Sequence, residues 1–512
     1  MKKKHLLITA ALLVGVGMYS CKKELNPTKD SVTQSAAAGS PAYLKAIVLG
    51  TYTQLQGLTA NNAMLLTSEE TTDALIVPGR IGGDWADGGV WQQLWLHTYT
   101  AAHGNISGAW DNAYNTIGAI NITIDLFKGL PQTSGTTYSI AELKTLRDYF
   151  YFLLLTNYGN VPLITSSSTD ASTVKNSPAT DVYNFLVTEL KADAPILSAN
   201  NPSKDPSQYG RLNRWGAYFL LAKLYLNQNV ITGSNDNSGY TACSSLCDSL
   251  MSSNAGYSLM PNFLDNFSSN NTGSTENIFV IPYDHINAQG LQIQMMSFHY
   301  NQAAKYNWGS TGGPWNGFCA NADYYGTFDN ADSRKAGWQH GIQYAADGIT
   351  PLTTRGSDSS LVLNFRPQVS SLLKATEYDG VRQQKWQLTP GYQSQDADFA
   401  LFRYSDVLLM KAECVMRISG AAAALQYTAA VRQRAGLANF TAAAFNADSL
   451  LAERGREFVW EGWRRQDLIR YGHFGDKKQF KAADADKHTQ LFPIPTEALQ
   501  KNANLTQNPG YN

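Results

Sequence analysis

Two stretches of helix-period sequence enclose a long block that has almost none, and that contrast limits the architecture more than any single motif. From about residue 41 to 257, and again from about 399 to 471, apolar residues recur at three- and four-residue spacing. Trp110, Tyr114, Ile117 and Ile120 fall on one face of the run 106–127, as in a helix with one buried side. The same spacing predicts helices over 41–58, 141–158, 180–196, 215–227, 240–252, 399–418, 421–435 and 447–471. The run 141–158 should end at Tyr158-Gly159-Asn160-Val161-Pro162, a Gly stop followed by Pro. Between the two helical stretches, 258–398 is rich in Gly, Asn, Ser and aromatics. Its apolar runs are short, such as Ile278-Phe279-Val280-Ile281-Pro282. Irregular segments of this length inside a compact protein are usually functional. The expectation is a mainly α protein of tetratricopeptide-like helix pairs carrying a loop-rich, irregular lobe, although no clean repeat signature accompanies the pairing.

The N-terminus reads as a leader. Lys2, Lys3 and Lys4 precede an apolar run, 6–18, that is too short for a transmembrane span and ends in Met18-Tyr19-Ser20-Cys21. A small residue followed by Cys after such a run is the pattern of a bacterial lipoprotein. Residues 1–20 are therefore read as a signal peptide and Cys21 as the lipidated residue. Residues 21–40, polar and Ala/Ser-rich, become a tether reaching about 25 Å. More than one acyl chain on Cys21 would anchor the protein stably. The remaining regions are 41–257, helical with a ligand-loop insert; 258–398, loop-rich; and 399–512, helical and ending in a strap. Together they form one unit. The other cysteines, Cys243, Cys247, Cys319 and Cys414, are not spaced as a disulfide framework. Cys243 and Cys247, four apart, read as packing thiols rather than a metal pair.

Several function classes are excluded or weakened. The formal charge is -1 with no long Lys/Arg run, so the electrostatic footprint of nucleic-acid binding is missing. The eight His form no metal-spaced cluster, and no nucleophile elbow, phosphate-binding glycine loop or zinc motif occurs. Asn235-Asp236-Asn237-Ser238-Gly239 lacks the distal Glu of a calcium loop and reads as an Asx-type turn. Asp329, Asp332 and Arg334 read as a turn with local ion pairs. No enzyme, cofactor or metal site is expected.

The aromatics are plentiful, 11 Trp, 27 Tyr and 20 Phe; a core can absorb many of them, but polar surfaces that stack on sugars or bases also use them. Two patches stand out. In the first, four glycines flank Asp84, Trp85 and Asp87 within Arg80-Ile81-Gly82-Gly83-Asp84-Trp85-Ala86-Asp87-Gly88-Gly89-Val90-Trp91. Gly permits sharp turns and close approach, Trp offers a flat face for a sugar ring, and Asp and Arg offer hydrogen bonds to hydroxyls. Trp91 and Trp95 also fit the opening of a helix. The second patch holds Tyr306-Asn307-Trp308, Gly312-Gly313-Pro314-Trp315-Asn316-Gly317-Phe318 and Tyr324-Tyr325. Candidate ligand contacts are Arg80, Asp84, Trp85, Asp87, Trp91, Trp315, Asn316 and Tyr324.

The C-terminal third carries the most recognisable blocks. They are Arg403-Tyr404-Ser405-Asp406-Val407-Leu408-Leu409-Met410-Lys411-Ala412-Glu413, then Val431-Arg432-Gln433-Arg434-Ala435-Gly436-Leu437. Next comes Glu453-Arg454-Gly455-Arg456-Glu457-Phe458-Val459-Trp460-Glu461-Gly462-Trp463-Arg464-Arg465-Gln466-Asp467-Leu468. Last are Phe492-Pro493-Ile494-Pro495 and the terminal 504–511. In this order, behind the leader, they resemble the SusD-like (RagB/SusD) family. Arg147-Asp148-Tyr149-Phe150-Tyr151 and Glu276-Asn277-Ile278-Phe279 agree. The resemblance implies four tetratricopeptide-like helix pairs with an irregular lobe bearing the ligand contacts. It implies a surface-exposed, lipid-anchored outer-membrane protein acting with a SusC-like TonB-dependent transporter. Oligosaccharide is the expected ligand and catalysis is not expected; a peptide-binding member and a protein-binding helical scaffold are the alternatives. Read physically, Glu453, Glu457 and Glu461 share a face of one helix with Arg456, Arg464 and Arg465 nearby, worth a few tenths of a kcal/mol per exposed pair. Gly455 and Gly462, seven apart, suggest a close-packed backbone.

Overall fold

In this computed structural model the described residues are 40–308, 313–355 and 361–511, so the leader, Cys21 and the tether up to Ala38 and Gly39 lie outside them. The chain divides into two compact units, Met1–Gly50 and Thr51–Asn512. Of the first, Ser40 and most of helix α1 (Pro41–Tyr52) are described. After Tyr52 the predicted run tightens into a 3-10 turn, Thr53–Thr59.

The second unit holds α2 (Met64–Glu70), α3 (Val90–Leu96), α4 (Gly104–Lys128), α5 (Ser134–Tyr158), α6 (Ala179–Asp193), α7 (Arg214–Leu226), α8 (Ser238–Leu250), α9 (Tyr404–Ser419), α10 (Ala447–Glu457) and α11 (Arg464–Tyr471), with shorter helical turns between them. From α4 to α11 each helix packs on the next in sequence, which is the tetratricopeptide-like arrangement expected. Local chemistry sets the ends. Thr133 and Thr136 form a capping box for α5, which stops at Gly159 with φ 72°. Asn213 accepts the Trp215 and Gly216 N–H groups to open α7. Asp236 makes the expected Asx turn, accepting from Ser238 N–H at 2.8 Å. The C-terminal strap lies along the body: Phe492 and Ile494 are buried, and Asn508 Nδ2 donates to the Tyr158 and Phe492 carbonyls at 2.8 Å. Cys243, Cys247, Cys319 and Cys414 are buried free thiols. Among the described residues, no helix is long and apolar enough to cross a membrane.

The irregular lobe is an insertion between α8 and α9. Strands β1 (Asn277–Ile281) and β2 (Phe399–Arg403) pair antiparallel, with Ile281 opposite Phe399, so the chain leaves and returns at one point. Residues 399–403 were expected to be helical. Their Phe-Ala-Leu-Phe-Arg run is buried throughout, and an all-buried run has no periodicity to separate strand from helix.

The predicted helix 447–471 is broken. Glu457 ends α10, and Arg464 starts α11 after a turn in which Trp460 has φ 60° and Gly462 φ 85°. The turn is held from elsewhere. Buried Glu69 on α2 accepts Gly462 N–H at 2.7 Å, and Trp460 Nε1 donates to Ala74 O at 2.9 Å. A Cβ at Gly462 would meet Leu65 at 2.8 Å. Gly455 and Gly462 therefore share no helix face. Gly455 makes room for the Arg464 guanidinium instead, 2.8 Å from where its Cβ would stand.

The ion pairs of this motif are interior, not exposed. Glu457 receives Arg403 at 2.9 Å, Arg334 at 3.0 Å and Arg434. Glu461 receives Arg403 at 2.8 Å and Lys385 at 2.7 Å. Glu453 receives Arg334, Arg432 and Arg456 at 2.6–2.8 Å. Glu276 receives Arg403 and Arg434 at 2.6 and 2.7 Å. Arg334 and Asp332, expected as a local pair, are joined at 2.8 Å but fully buried inside this network. Beside it Arg454 bridges Asp406 and Asp467, both at 2.8 Å. The network ties the lobe, β2, α9 and α10 together, and buried charge is tolerated because every acid has a base.

Outside this network, Glu70 is a buried acid with no such partner. Both carboxyl oxygens of Glu70 lack a hydrogen bond, and burial raises its pKa well above 4.5. A raised folded pKa contributes stability that is complete below the unfolded value and is lost as pH rises. Glu70→Gln should therefore gain on the natural protein with pH. Between pH 5 and pH 6.5 the gap should widen by up to about 2 kcal/mol. Urea midpoints of both proteins at the two pH values test this, and a constant gap would show Glu70 to be paired.

Candidate ligand-binding site

The glycine-rich loop preceding α3 forms one wall of the site. Gly82, Gly83, Gly88 and Gly89 all have positive φ, and so do Trp85 at 61° and Asp87 at 34°, a conformation that costs free energy in a residue with a side chain. Arg80 fixes the loop from below. Its Nε donates to Asn316 O at 2.8 Å, Nη1 to Thr376 and Asp379 O at 2.9 and 3.0 Å, and Nη2 to Gly317 O at 3.1 Å. Asn316, with φ 54°, accepts from Arg382 Nη2 at 2.6 Å and donates to Glu377 O at 3.0 Å. These two arginines and the amide thus join three loops that are far apart in sequence.

Trp85 is half-buried. Its Nε1 donates to Trp315 O at 2.6 Å, and its ring meets Trp91 at 5.2 Å and Phe318 at 5.6 Å between centroids. It lies directly on Gly317, where a Cβ would come within 2.2 Å. Trp91 is buried in α3 and donates to Asp87 at 2.7 Å. Trp315 is half-buried, and Asp84 and Asp87 are exposed.

The sequence candidates therefore separate. Asp84, Trp85, Asp87 and Trp315 reach the surface together. Arg80, Asn316 and Trp91, also expected as direct contacts, are buried beneath it. Tyr324 is apart from them: buried, its hydroxyl donates to Gly455 O at 2.6 Å, with Phe328 and Trp338 around its ring. Cys21 lies outside the described residues.

Sequence reasoning missed four residues. Arg355 reaches Asp84 at 2.6 Å and Glu377 at 3.3 Å, and its guanidinium lies 3.1 Å from the Tyr300 ring centroid. Tyr300 donates to the same Asp84 oxygen at 2.5 Å. His299 Nδ1 accepts Asn301 N–H at 3.1 Å, which leaves Nε2–H to donate to Glu377 at 2.9 Å. Burial keeps His299 below its usual pKa. Partial burial would raise the Glu377 pKa, but the bonds from His299 and the Arg355 N–H outweigh it and bring it to about 2. Glu377 is thus an anionic acceptor, and Arg355 is held between it and Asp84. The only sequence signal was polar loop context, Phe298-His299-Tyr300-Asn301 and Thr353-Thr354-Arg355-Gly356.

The lobe also brings Asp284, His285 and Asp396 within 4.8 Å of one another, a grouping of the kind that can hold a cation. Internal bonds account for it here. His285 Nδ1 and N–H both meet Asp396 Oδ1, at 2.7 and 2.8 Å, and Asp284 accepts the Ile286 and Asn287 N–H groups of its own turn.

Comparison with known proteins bears on the fold. The profile described as the SusD family matches residues 367–511, and one described as starch-binding, associating with outer membrane, matches 29–226. The starch-binding protein SusD of Bacteroides thetaiotaomicron is 24% identical over 451 residues, covering 76% of each chain. Among solved structures, surface glycan-binding protein A from Bacteroides thetaiotaomicron, in complex with laminarihexaose, superposes with a TM-score of 0.71 at 22% identity, over 91% of this chain and 99% of that one. A laminarin-binding SusD-like protein gives 0.73 at 20% identity, over 92% and 99%. Both likenesses establish the fold.

Proposed function

We propose, from the premise that this chain belongs to the SusD family, that it captures oligosaccharide at the outer-membrane surface and delivers it to a SusC-like TonB-dependent transporter, anchored through lipid on Cys21. The observation that carries the reading is the joint partial exposure of Trp85 and Trp315 beside Asp84, Tyr300 and Arg355. Flat apolar faces flanked by fixed donors and acceptors suit a pyranose, whose two sides differ in the same way. The named relatives bind starch and laminarin, so a glucan is the first ligand to try.

The site's charge favours a neutral glycan. Arg355 is engaged by two carboxylates, and Asp87 adds another negative group at the rim. The same chemistry argues for binding without turnover. Glycoside hydrolysis needs an acid that is protonated near neutral pH, whereas Glu377 is ionised above about 2.

Calorimetric titration of the full-length protein against laminarihexaose, maltohexaose and a hexagalacturonate tests the reading. One neutral glucan should bind at least about tenfold more tightly than the acidic oligomer, a difference of about 1.4 kcal/mol, with no product formed. Heat only from the uronate would overturn the neutral-glycan assignment. Silence from all three, with binding to a peptide library, would move the function to peptide capture.

A further inference from the structure

A cavity of about 520 Å³ opens where three turns meet, and it shares no residue with the site above. The turns are the segment between α6 and α7, the turn after α8, and the approach to β1. Every side chain lining it is uncharged. Its walls are fixed by bonds between the turns. Asn201 Nδ2 donates to the Ala255 and Gly256 carbonyls at 2.9 and 3.0 Å. Ser258 N–H donates to Thr275 O at 3.0 Å, and Ser274 Oγ donates to Asn266 at 2.7 Å while accepting Asn277 N–H at 3.2 Å.

Asn277 stands at the floor. It is 4% exposed, and neither its amide oxygen nor its amide nitrogen has a hydrogen-bond partner. Buried side-chain amides almost always have partners, and here donor and acceptor are both unmet. The β1–β2 register is irregular between Asn277 and Phe279. Such bulges re-aim a side chain out of a regular ladder. The Tyr257 hydroxyl, beside Asn213, also makes no bond of ordinary geometry. Tyr209 and Tyr257 add aromatic rings to a wall otherwise made of hydroxyls, amides and prolines.

We propose that this cavity is a second binding site, for a single neutral sugar unit. A primary amide offers one acceptor and two donors side by side, which matches two adjacent hydroxyls of a pyranose. The uncharged lining disfavours phosphate or carboxylate ligands, which would meet no counter-charge from the lining side chains. The volume falls within the range of small-molecule sites.

Ligand-observed saturation-transfer NMR on the full-length Trp315→Ala protein, with the first site weakened, tests the assignment. D-glucose, D-galactose, D-mannose and N-acetylglucosamine serve as separate probes. At least one should receive saturation. Adding Asn277→Leu, or separately Thr272→Trp at the exposed rim, should lower that signal about tenfold or more with melting unchanged. Should the Leu variant fail to fold, the Trp variant alone decides, since it changes an exposed residue. No transfer to any of the four sugars, or transfer that survives both substitutions, would overturn the proposal.

Discussion

Glu457→Ala should cost the fold about 3–5 kcal/mol, the range for removing one partner of a buried ion pair, and should reduce the yield of folded protein sharply. Glu457 is fully buried and holds Arg403, Arg334 and Arg434. Deleting it leaves three guanidinium groups facing one another, with Glu276, Glu453 and Glu461 unable to move to the centre. Total stabilities of domains are of order 5–15 kcal/mol, so this one change consumes a large part. Glu457→Gln should be milder, because the amide keeps two acceptor lone pairs but brings donors toward the arginines. The acid limb follows from the same groups. Burial alone would raise the Glu457 pKa, but the surrounding Arg434, Arg403 and Arg334 hold it far below 4.5, and Glu453 falls to about 2. A depressed folded pKa gives stability that is present above the unfolded value and lost as pH falls below it. The natural protein should therefore lose stability steeply below about pH 4.5, and Glu457→Gln should lose less over the same range. Urea midpoints at pH 7 and pH 4 measure both. Equal midpoints for the natural protein and Glu457→Ala would show that the network contributes specificity and not stability.

That network also marks where the sequence could be read and where it could not. Helices α4, α6 and α8 were legible because each buries one face, as Trp110, Ile117 and Ile120 do in α4, and a one-sided burial pattern is periodic; α5 and α7, buried nearly all round, were legible from their length and, in α5, the Gly stop. Arg403, Glu457 and Glu461 were legible as a family pattern, and Arg334 as part of a local ion pair, but not as a buried cluster. Their spacing on paper fits exposed pairs, and nothing local reveals that Glu276 and Lys385 arrive from the lobe. The break after Glu457 depends on Glu69 and Ala74, nearly four hundred residues earlier. The site divides in the same way. A Gly-Gly-Asp-Trp-Ala-Asp-Gly-Gly loop announces itself, because few other roles require four flexible positions around a Trp. Arg80 and Asn316 carry the same polar chemistry as ligand contacts, and only the fold shows that loop carbonyls and Arg382 occupy them. Tyr300 and Arg355 lie in ordinary polar loops, and become functional candidates only when Asp84 is found to join them.

Trp315→Ala and Trp85→Ala should both remove glycan binding, and should differ in everything else. Trp315 is half-buried, one part of its ring reaching the surface and the rest packed against the cluster of Met295, Phe298 and Trp308. Its truncation should weaken the best glucan of the titration about 30-fold or more, the loss of about 2 kcal/mol typical of an aromatic hot spot. Melting should move little, because the backbone carbonyl that Trp85 uses is retained. Trp85 does two things at once. Its indole N–H fixes the Trp315 carbonyl, and its ring fills the space over Gly317 between Trp91 and Phe318. Alanine there leaves a cavity worth about 3 kcal/mol or more and frees the loop that presents Trp315, so binding and melting temperature should fall together. Trp85→Phe separates the contributions. It keeps much of the packing and loses only the hydrogen bond, so stability should largely return while affinity stays reduced. Calorimetry and melting curves on the three variants read both quantities. Unchanged affinity in Trp315→Ala would place the glycan elsewhere on the protein. Full affinity in Trp85→Phe would show that the Trp85–Trp315 bond plays no part in shaping the surface.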